Sequence, residues 1–166
     1  YRNALIYSNE IAHKCGEESV TFSQFNDRVN ALIHALVSMG VKKGDVIGIL
    51  SWNCIEYPDA YGAAMKFGFI SSPFNTRLQD DELDYLINYS ECNTLFVGPQ
   101  LVELVNKLRP RLKKIKNFIS FGTEDVPGMI SHRKLLETFP KDEPNVEAKE
   151  EDPVFLFYTS GTTGVP

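Results

Sequence analysis

Short apolar runs of strand length alternate with amphipathic, helix-period segments through residue 121, and this alternation constrains the fold more than any other feature of the chain. Residues 46–50, 69–73, 94–97 and 117–121 have strand length and composition. Helix-period segments lie before, between and among them. Strand–helix–strand order implies βαβ crossovers, so the expected fold class is α/β: a layered α/β/α arrangement with a mostly parallel sheet. Residues 4–7 and 19–21 are further strand candidates flanking a polar stretch with Gly16, and residues 131–137 form a short helix candidate.

Several helix ends are written into the sequence. Thr21 can cap a helix with Gln24 three residues on, Phe25, Val29, Leu32, Ile33 and Leu36 form its apolar stripe, and Gly40 stands where a left-handed stop belongs. Asn53 and Glu56 have capping-box spacing for a second helix ending near Gly68, with Pro58 close to its start. Asp80, Asp81 and Glu82 place negative charge on the first turn of a third helix, which carries Leu83, Leu86 and Ile87. Residues 100–112 read as a fourth, with Leu101, Leu104, Val105 and Leu108 on one face.

The charge balance excludes some classes of partner. With 17 Lys and Arg against 22 Asp and Glu in 166 residues, a general nucleic-acid or anionic-membrane surface is not expected. No apolar run approaches the roughly 18 residues needed to cross a bilayer, so the expectation is a soluble, cytoplasmic protein without a transmembrane segment. Cys15, Cys54 and Cys92 have neither CxxC spacing nor a nearby histidine, and are expected to be buried reduced thiols. His13, His34 and His132 are expected to be solvated, Trp52 to serve packing at a strand end, and Asn75 and Arg77 to be structural.

Residues 140–153 hold six acids against two lysines and read as a solvated acidic connector. Directly after it come Val154, Phe155, Leu156, Phe157 and Tyr158, fit for a strand, and then Thr159, Ser160, Gly161, Thr162, Thr163 and Gly164. Glycines let successive N–H groups converge on an anion, and the hydroxyls add donors. Such a loop can cradle phosphates; a flexible linker or plain turn is the other reading. The preceding strand favours the cradle, because pre-organised donors need rigid support, expected from Phe155, Phe157 and Tyr158. A P-loop begun at Gly161 would need glycine where Pro166 stands, and neither GxGxxG after a strand nor GxSxG occurs.

Residues 158–166, Tyr-Thr-Ser-Gly-Thr-Thr-Gly-Val-Pro, resemble the signature phosphate loop of the adenylate-forming superfamily of acyl-CoA and aryl-CoA synthetases, peptide-synthetase adenylation domains and luciferases. In that superfamily a lysine normally follows the proline. Val20-Thr21-Phe22-Ser23-Gln24-Phe25 resembles its early T-Y-x-E-L helix entry, and the stretch from Gly40 to Val46 its G-V-x-x-G-D-x-V turn. Pro73-Phe74-Asn75-Thr76-Arg77-Leu78 resembles its P-x-N-x-R-L segment.

The resemblance implies part of the large N-terminal domain of an acyl-CoA synthetase-like enzyme using ATP, Mg2+ and coenzyme A. Residues 1–139 would form an α/β subdomain portion, 140–153 the connector, and 154–166 the strand and a truncated phosphate loop. Thr159, Ser160, Gly161, Thr162 and Thr163 would contact ATP phosphates, Thr159 would also help place magnesium, and Gly164 would supply loop geometry. No catalytic residue is expected here, so this chain alone should be inactive. Tyr1 and Pro166 would be boundaries within a longer polypeptide. The alternatives are a fatty acyl-AMP ligase, an aryl-CoA ligase, or a non-catalytic nucleotide-binding module of the same fold. The loop from Ser160 to Gly164 is expected to order on nucleotide.

Overall fold

The computed structural model describes residues 1–145 and 148–159. The chain opens with helix α1, Arg2–Ile6, followed by an antiparallel hairpin of β1, Ile11–Cys15, and β2, Glu18–Thr21, which turns through Gly16 at φ +59°. The strand expected over 4–7 is therefore replaced by a helical turn. Among the described residues no strand lies alongside to take its backbone groups, whereas Leu5 N–H and Tyr7 N–H bond back to the carbonyls of Tyr1 and Asn3 at 3.2 and 2.8 Å.

Helix α2, Phe22–Ser38, forms where the sequence places it. Thr21 Oγ1 accepts from Gln24 N–H at 3.2 Å, and the Gln24 side chain accepts from Thr21 N–H at 2.9 Å. At its other end Gly40 takes φ +84°, Val41 N–H reaches Leu36 O at 3.0 Å, and Gly40 N–H reaches Val37 O at 2.9 Å, the paired bonds of a Schellman stop.

The remaining elements are β3 (Val46–Leu50), α3 (Tyr57–Phe67), β4 (Ile70–Pro73), α4 (Asp80–Tyr89), β5 (Thr94–Val97), a 3-10 turn at Pro99–Leu101, α5 (Val102–Leu108), β6 (Asn117–Ser120), β7 (Ile130–Ser131) and α6 (His132–Thr138). The helix expected over 100–112 is thus shorter, entered by the 3-10 turn after Pro99 and closed by successive turns at Arg109–Leu112. Five strands make one sheet in the order β4-β3-β5-β6-β7, each neighbouring pair parallel. The order reverses between β3 and β5, because β4 is laid on one side of β3 and the later strands on the other.

Alternation along the strands divides the core into two layers. Ile47, Ile49, Phe96 and Ile119 point to one face, where they join Val29, Leu32, Ile33 and Leu36 of α2, Ala60, Ala63 and Ala64 of α3, and Leu135 of α6. Leu50, Leu95, Val97 and Phe118 point to the other, against Leu83, Leu86 and Ile87 of α4 and Val105 and Leu108 of α5. The expected α/β/α layering is present.

Two polar expectations are corrected. His132 is buried, 1 % exposed, with its ring edge-on to Phe121 at 5.3 Å. Its Nε2 lies 3.3 Å from Oδ2 of the equally buried Asp59 without a hydrogen bond. Asp59 accepts from Arg28 through Nε at 2.9 and 3.1 Å and through Nη2 at 2.7 Å, so one buried cluster ties α2, α3 and α6 together. Heading α6 from a capped Ser131, His132 is carried inward onto the sheet, which its polar sequence neighbours do not reveal.

The 140–153 stretch is also more than a solvated connector. Glu143 pairs with Lys66 at 2.6 Å and accepts from Asn26 and Asn30 at 2.7 and 3.2 Å, and Asp152 pairs with Lys43 at 2.6 Å. Burial opposes the charge of Glu143, but Lys66, Asn26 and Asn30 hold its carboxyl below the ordinary range. Glu143 and Asp152 therefore fasten the segment to α2, α3 and the turn before β3.

Burial, and then Arg28, push the His132 pKa from 6.5 down to about 3. Burial raises Asp59 from 3.8 to about 6, against the pull of Arg28. Between pH 3 and 6.5 the unfolded chain therefore binds a proton at His132 that the folded chain refuses, which removes stability as pH falls. Between pH 3.8 and 6 the folded chain binds one at Asp59 that the unfolded chain lacks, which adds stability as pH falls. The two oppose each other in the shared window. His132→Asn should expose the Asp59 contribution, gaining about 1–3 kcal/mol relative to wild type on acidification from about pH 6 to 4. Urea midpoints across that range measure it; parallel profiles for the two proteins would refute the assignment.

Candidate functional site

In an open parallel sheet, ligands are met beyond the carboxyl ends of the strands. At the reversal between β3 and β5 those ends are packed shut: a Cβ on Gly98 would lie 2.5 Å from Ser51 Oγ and 3.0 Å from Ser51 Cα. The buried Ser51 hydroxyl donates to the Trp52 carbonyl at 2.7 Å. Trp52 itself is 56 % exposed, so the packing role expected for it is not met: β3 has ended, and the ring projects from the following loop.

The carboxyl edge is extended at the β4 side by the segment 154–158. Ser71 N–H donates to Val154 O at 2.8 Å, and Leu156 N–H donates to Ser71 O at 2.9 Å, a parallel bridge centred on Phe155. The segment therefore runs with the sheet and delivers Thr159 to its carboxyl edge, where Thr159 is exposed.

Of the three side chains expected to anchor it, Tyr158 does so, but Phe155 and Phe157 do not. Val154, Leu156 and Tyr158 are half-buried, whereas Phe155 and Phe157 are 40 % and 63 % exposed. Period two puts the latter on the α3 face, where they stay largely exposed. Phe155 meets Tyr61 edge-on at 5.1 Å and Phe157 at 5.4 Å. Tyr158 packs on the opposite layer, stacked on Phe74 at 6.5 Å and edge-on to Tyr89 at 6.1 Å. Tyr89 stacks on Tyr85 one helical turn earlier at 5.6 Å. Two tyrosines four apart on α4, with a third just before the Thr/Ser/Gly loop, were the sequence signal for this cluster.

Of the candidate phosphate ligands, Thr159 is the one within the described residues; Ser160, Gly161, Thr162, Thr163 and Gly164 lie outside them, as does their ordering on nucleotide. Thr159 offers one hydroxyl, and no group of three or more His, Cys, Asp or Glu among the described residues could hold a metal ion.

The other singled-out residues have structural partners. Glu56 does not join Asn53 in a capping box; it sits at the N-terminus of α3 in helical geometry, and its carboxylate accepts from Gly122 N–H at 3.1 Å, tying that helix to the end of β6. Asn75 Oδ1 accepts from Arg77 N–H at 3.0 Å and shapes the turn after β4. His13 and His34, both half-buried, lie 3.3 and 3.1 Å from the carbonyls of Ile55 and Asp142. All three cysteines are free, but only Cys92 is fully buried; Cys15 and Cys54 are half-buried, and burial followed by Glu56 pushes the Cys54 thiol up to about 11, away from reactivity at neutral pH.

The sequence matches the AMP-binding enzyme family over residues 1–166. It is 33% identical over 138 residues to a 3-methylmercaptopropionyl-CoA ligase from Ruegeria lacuscaerulensis, covering 80% of this chain and 26% of that protein. It is 30% identical over 148 residues to a long-chain-fatty-acid–CoA ligase from Mycobacterium tuberculosis, covering 89% and 28%. Among solved structures it resembles an anthranilate CoA ligase in complex with anthranoyl-AMP, with a TM-score of 0.92 at 26% identity, covering 99% of this chain and 32% of the ligase. The inhibitor-bound N-terminal domain of FACL13 from Mycobacterium tuberculosis gives 0.86 at 26% identity, covering 98% and 40%. The chain thus spans under a third of the curated relatives it matches.

Proposed function

The chain belongs to the AMP-binding enzyme family, and on that premise we propose that it is the front part of the large N-terminal domain of an ATP-dependent acid–thiol ligase. The ligase would activate a carboxylic acid, foremost a fatty acid, as its acyl-adenylate and pass the acyl group to coenzyme A in the cytoplasm. The observation that carries this reading is the delivery of Thr159, first residue of the Thr/Ser/Gly loop, to the carboxyl edge of a parallel sheet.

The reaction explains what such a loop is for. A carboxylate oxygen attacks the α-phosphorus of ATP, the bond to the bridging oxygen breaks, and pyrophosphate leaves; the thiol sulfur then displaces AMP from the acyl carbonyl. Two unit charges about 3.5 Å apart repel by on the order of 5 kcal/mol at an effective dielectric near 20, so the first step needs fixed donors. Thr159, Ser160, Thr162 and Thr163, with the loop amides, would hold the outer phosphates and leave the α-phosphorus open; Gly161 would let the backbone approach, and Gly164 would set the turn.

No helix among the described residues is long and apolar enough to cross a membrane, consistent with small-molecule partners met in water. A second reading, an aryl-CoA ligase, draws on the likeness to the anthranilate CoA ligase. The polypeptide carrying this chain should catalyse carboxylate-dependent pyrophosphate exchange, with medium or long aliphatic acids preferred over benzoates. Preference for benzoates would favour the aryl reading, and exchange with neither class would count against acid activation.

A further inference from the structure

Backbone pairing of the edge segment ends before the loop begins. Among the described residues, the Leu156 N–H to Ser71 O bond at 2.9 Å is its last backbone hydrogen bond to β4. Phe157 is 63 % exposed and Thr159 is exposed, so the direction in which the chain leaves the sheet depends on how Tyr158 is held.

The Tyr158 ring sits between two jaws of different origin. Phe74, 5 % exposed, belongs to the sheet: its N–H donates to Ile49 O at 2.9 Å, and its ring lies nearly parallel to Tyr158, at 14°. Tyr89 comes from the last turn of α4 and meets Tyr158 at 65°, while it is itself stacked on Tyr85 at 13°. Tyr89 is 60 % exposed and contributes little to the core, so its ring contacts go to Tyr158 and Tyr85. Burial, then Cys92, Tyr89 and Tyr85, raise the Tyr158 pKa and keep the phenol uncharged.

We propose that Tyr89 is a positioning residue for the root of the candidate phosphate loop: with Phe74 it clamps Tyr158, one residue before Thr159, and holds Thr159 at the carboxyl edge of the sheet. The significance for catalysis rests on the phosphate-binding reading above. A donor must be held to within about half an ångström to be useful, so a tilt at the loop root is felt at Thr159.

Tyr89→Ala and Tyr89→Phe test this with two readouts. An edge-on aromatic contact corresponds to a shift of about two- to tenfold. Exchange of the Leu156 N–H, which is paired to Ser71 O, should therefore quicken about two- to tenfold in Tyr89→Ala, stay unchanged at the Phe74 N–H on the sheet side, and return to wild type in Tyr89→Phe. In the ligase carrying this chain, KM for ATP should rise by a similar factor with KM for the acid unchanged, again rescued by Phe. Equal exchange at Leu156 in wild type and Tyr89→Ala, or an increase shared by Phe74, overturns the clamp. Altered loop-root exchange without a change in KM for ATP overturns its role in positioning donors. A wild-type protein that supports no pyrophosphate exchange would instead refute the proposed function, while amide exchange would still decide whether the clamp exists.

Discussion

Replacing Thr162 and Thr163 together by Val in the ligase carrying this loop is expected to lower acyl-adenylate formation by about 10²–10⁴-fold. Each hydroxyl directed at a phosphate would contribute a charge-assisted hydrogen bond of about 1.5–3 kcal/mol, and about 1.4 kcal/mol corresponds to tenfold in rate. Valine keeps the branched shape and removes only the donor, so the fold should stand. The measurement is carboxylate-dependent pyrophosphate exchange, with the thermal midpoint as the control. Activity within twofold of wild type would show that these hydroxyls do not hold phosphate. A large loss with an unchanged midpoint would separate a phosphate role from a structural one, since Ser/Thr/Gly turns that serve only as connections tolerate such changes.

What the sequence made legible was local chemistry with a periodic signature. The Thr21 and Gln24 cap, the Gly40 stop and the stripe through Leu32, Ile33 and Leu36 were all readable, because each depends on neighbours within one or two helical turns. The parallel order followed from alternation. Contacts set by distant parts of the chain were not readable. His132 stands among polar residues in sequence, and only the placement of α6 over the sheet carries it against Phe121 and Asp59. Phe155 and Phe157 look like core residues by composition, but on an edge segment both stay largely exposed, with Phe155 meeting α3 edge-on at Tyr61. Glu143 reads as one acid among many until Lys66, Asn26 and Asn30 converge on it from two helices. For the site, the sequence named the loop, and the structure added the sheet edge on which it begins and the aromatic cluster at its root.

Arg28→Met should destabilise the fold by about 3–5 kcal/mol, the cost of leaving a buried charge without its partner. Asp59 is fully buried, and Arg28 supplies the hydrogen bonds that its carboxylate receives from a cation; His132, held neutral 3.3 Å away, cannot replace that charge. Against a typical domain stability of about 5–15 kcal/mol, the loss would be large enough to lower the urea midpoint plainly. Two features distinguish this cause from simple loss of packing. Adding Asp59→Leu to Arg28→Met should recover much of the deficit, because a buried ion pair exchanged for apolar side chains is often near neutral, although the single change is costly. The deficit should also shrink as pH falls, since the carboxyl of Asp59, already raised by burial, loses in Arg28 the group that lowers it and becomes neutral at higher pH than in wild type. A loss below about 1 kcal/mol at neutral pH, or one that is equally large in the double variant, would mean that Arg28 acts through its aliphatic stem and not through its charge on Asp59.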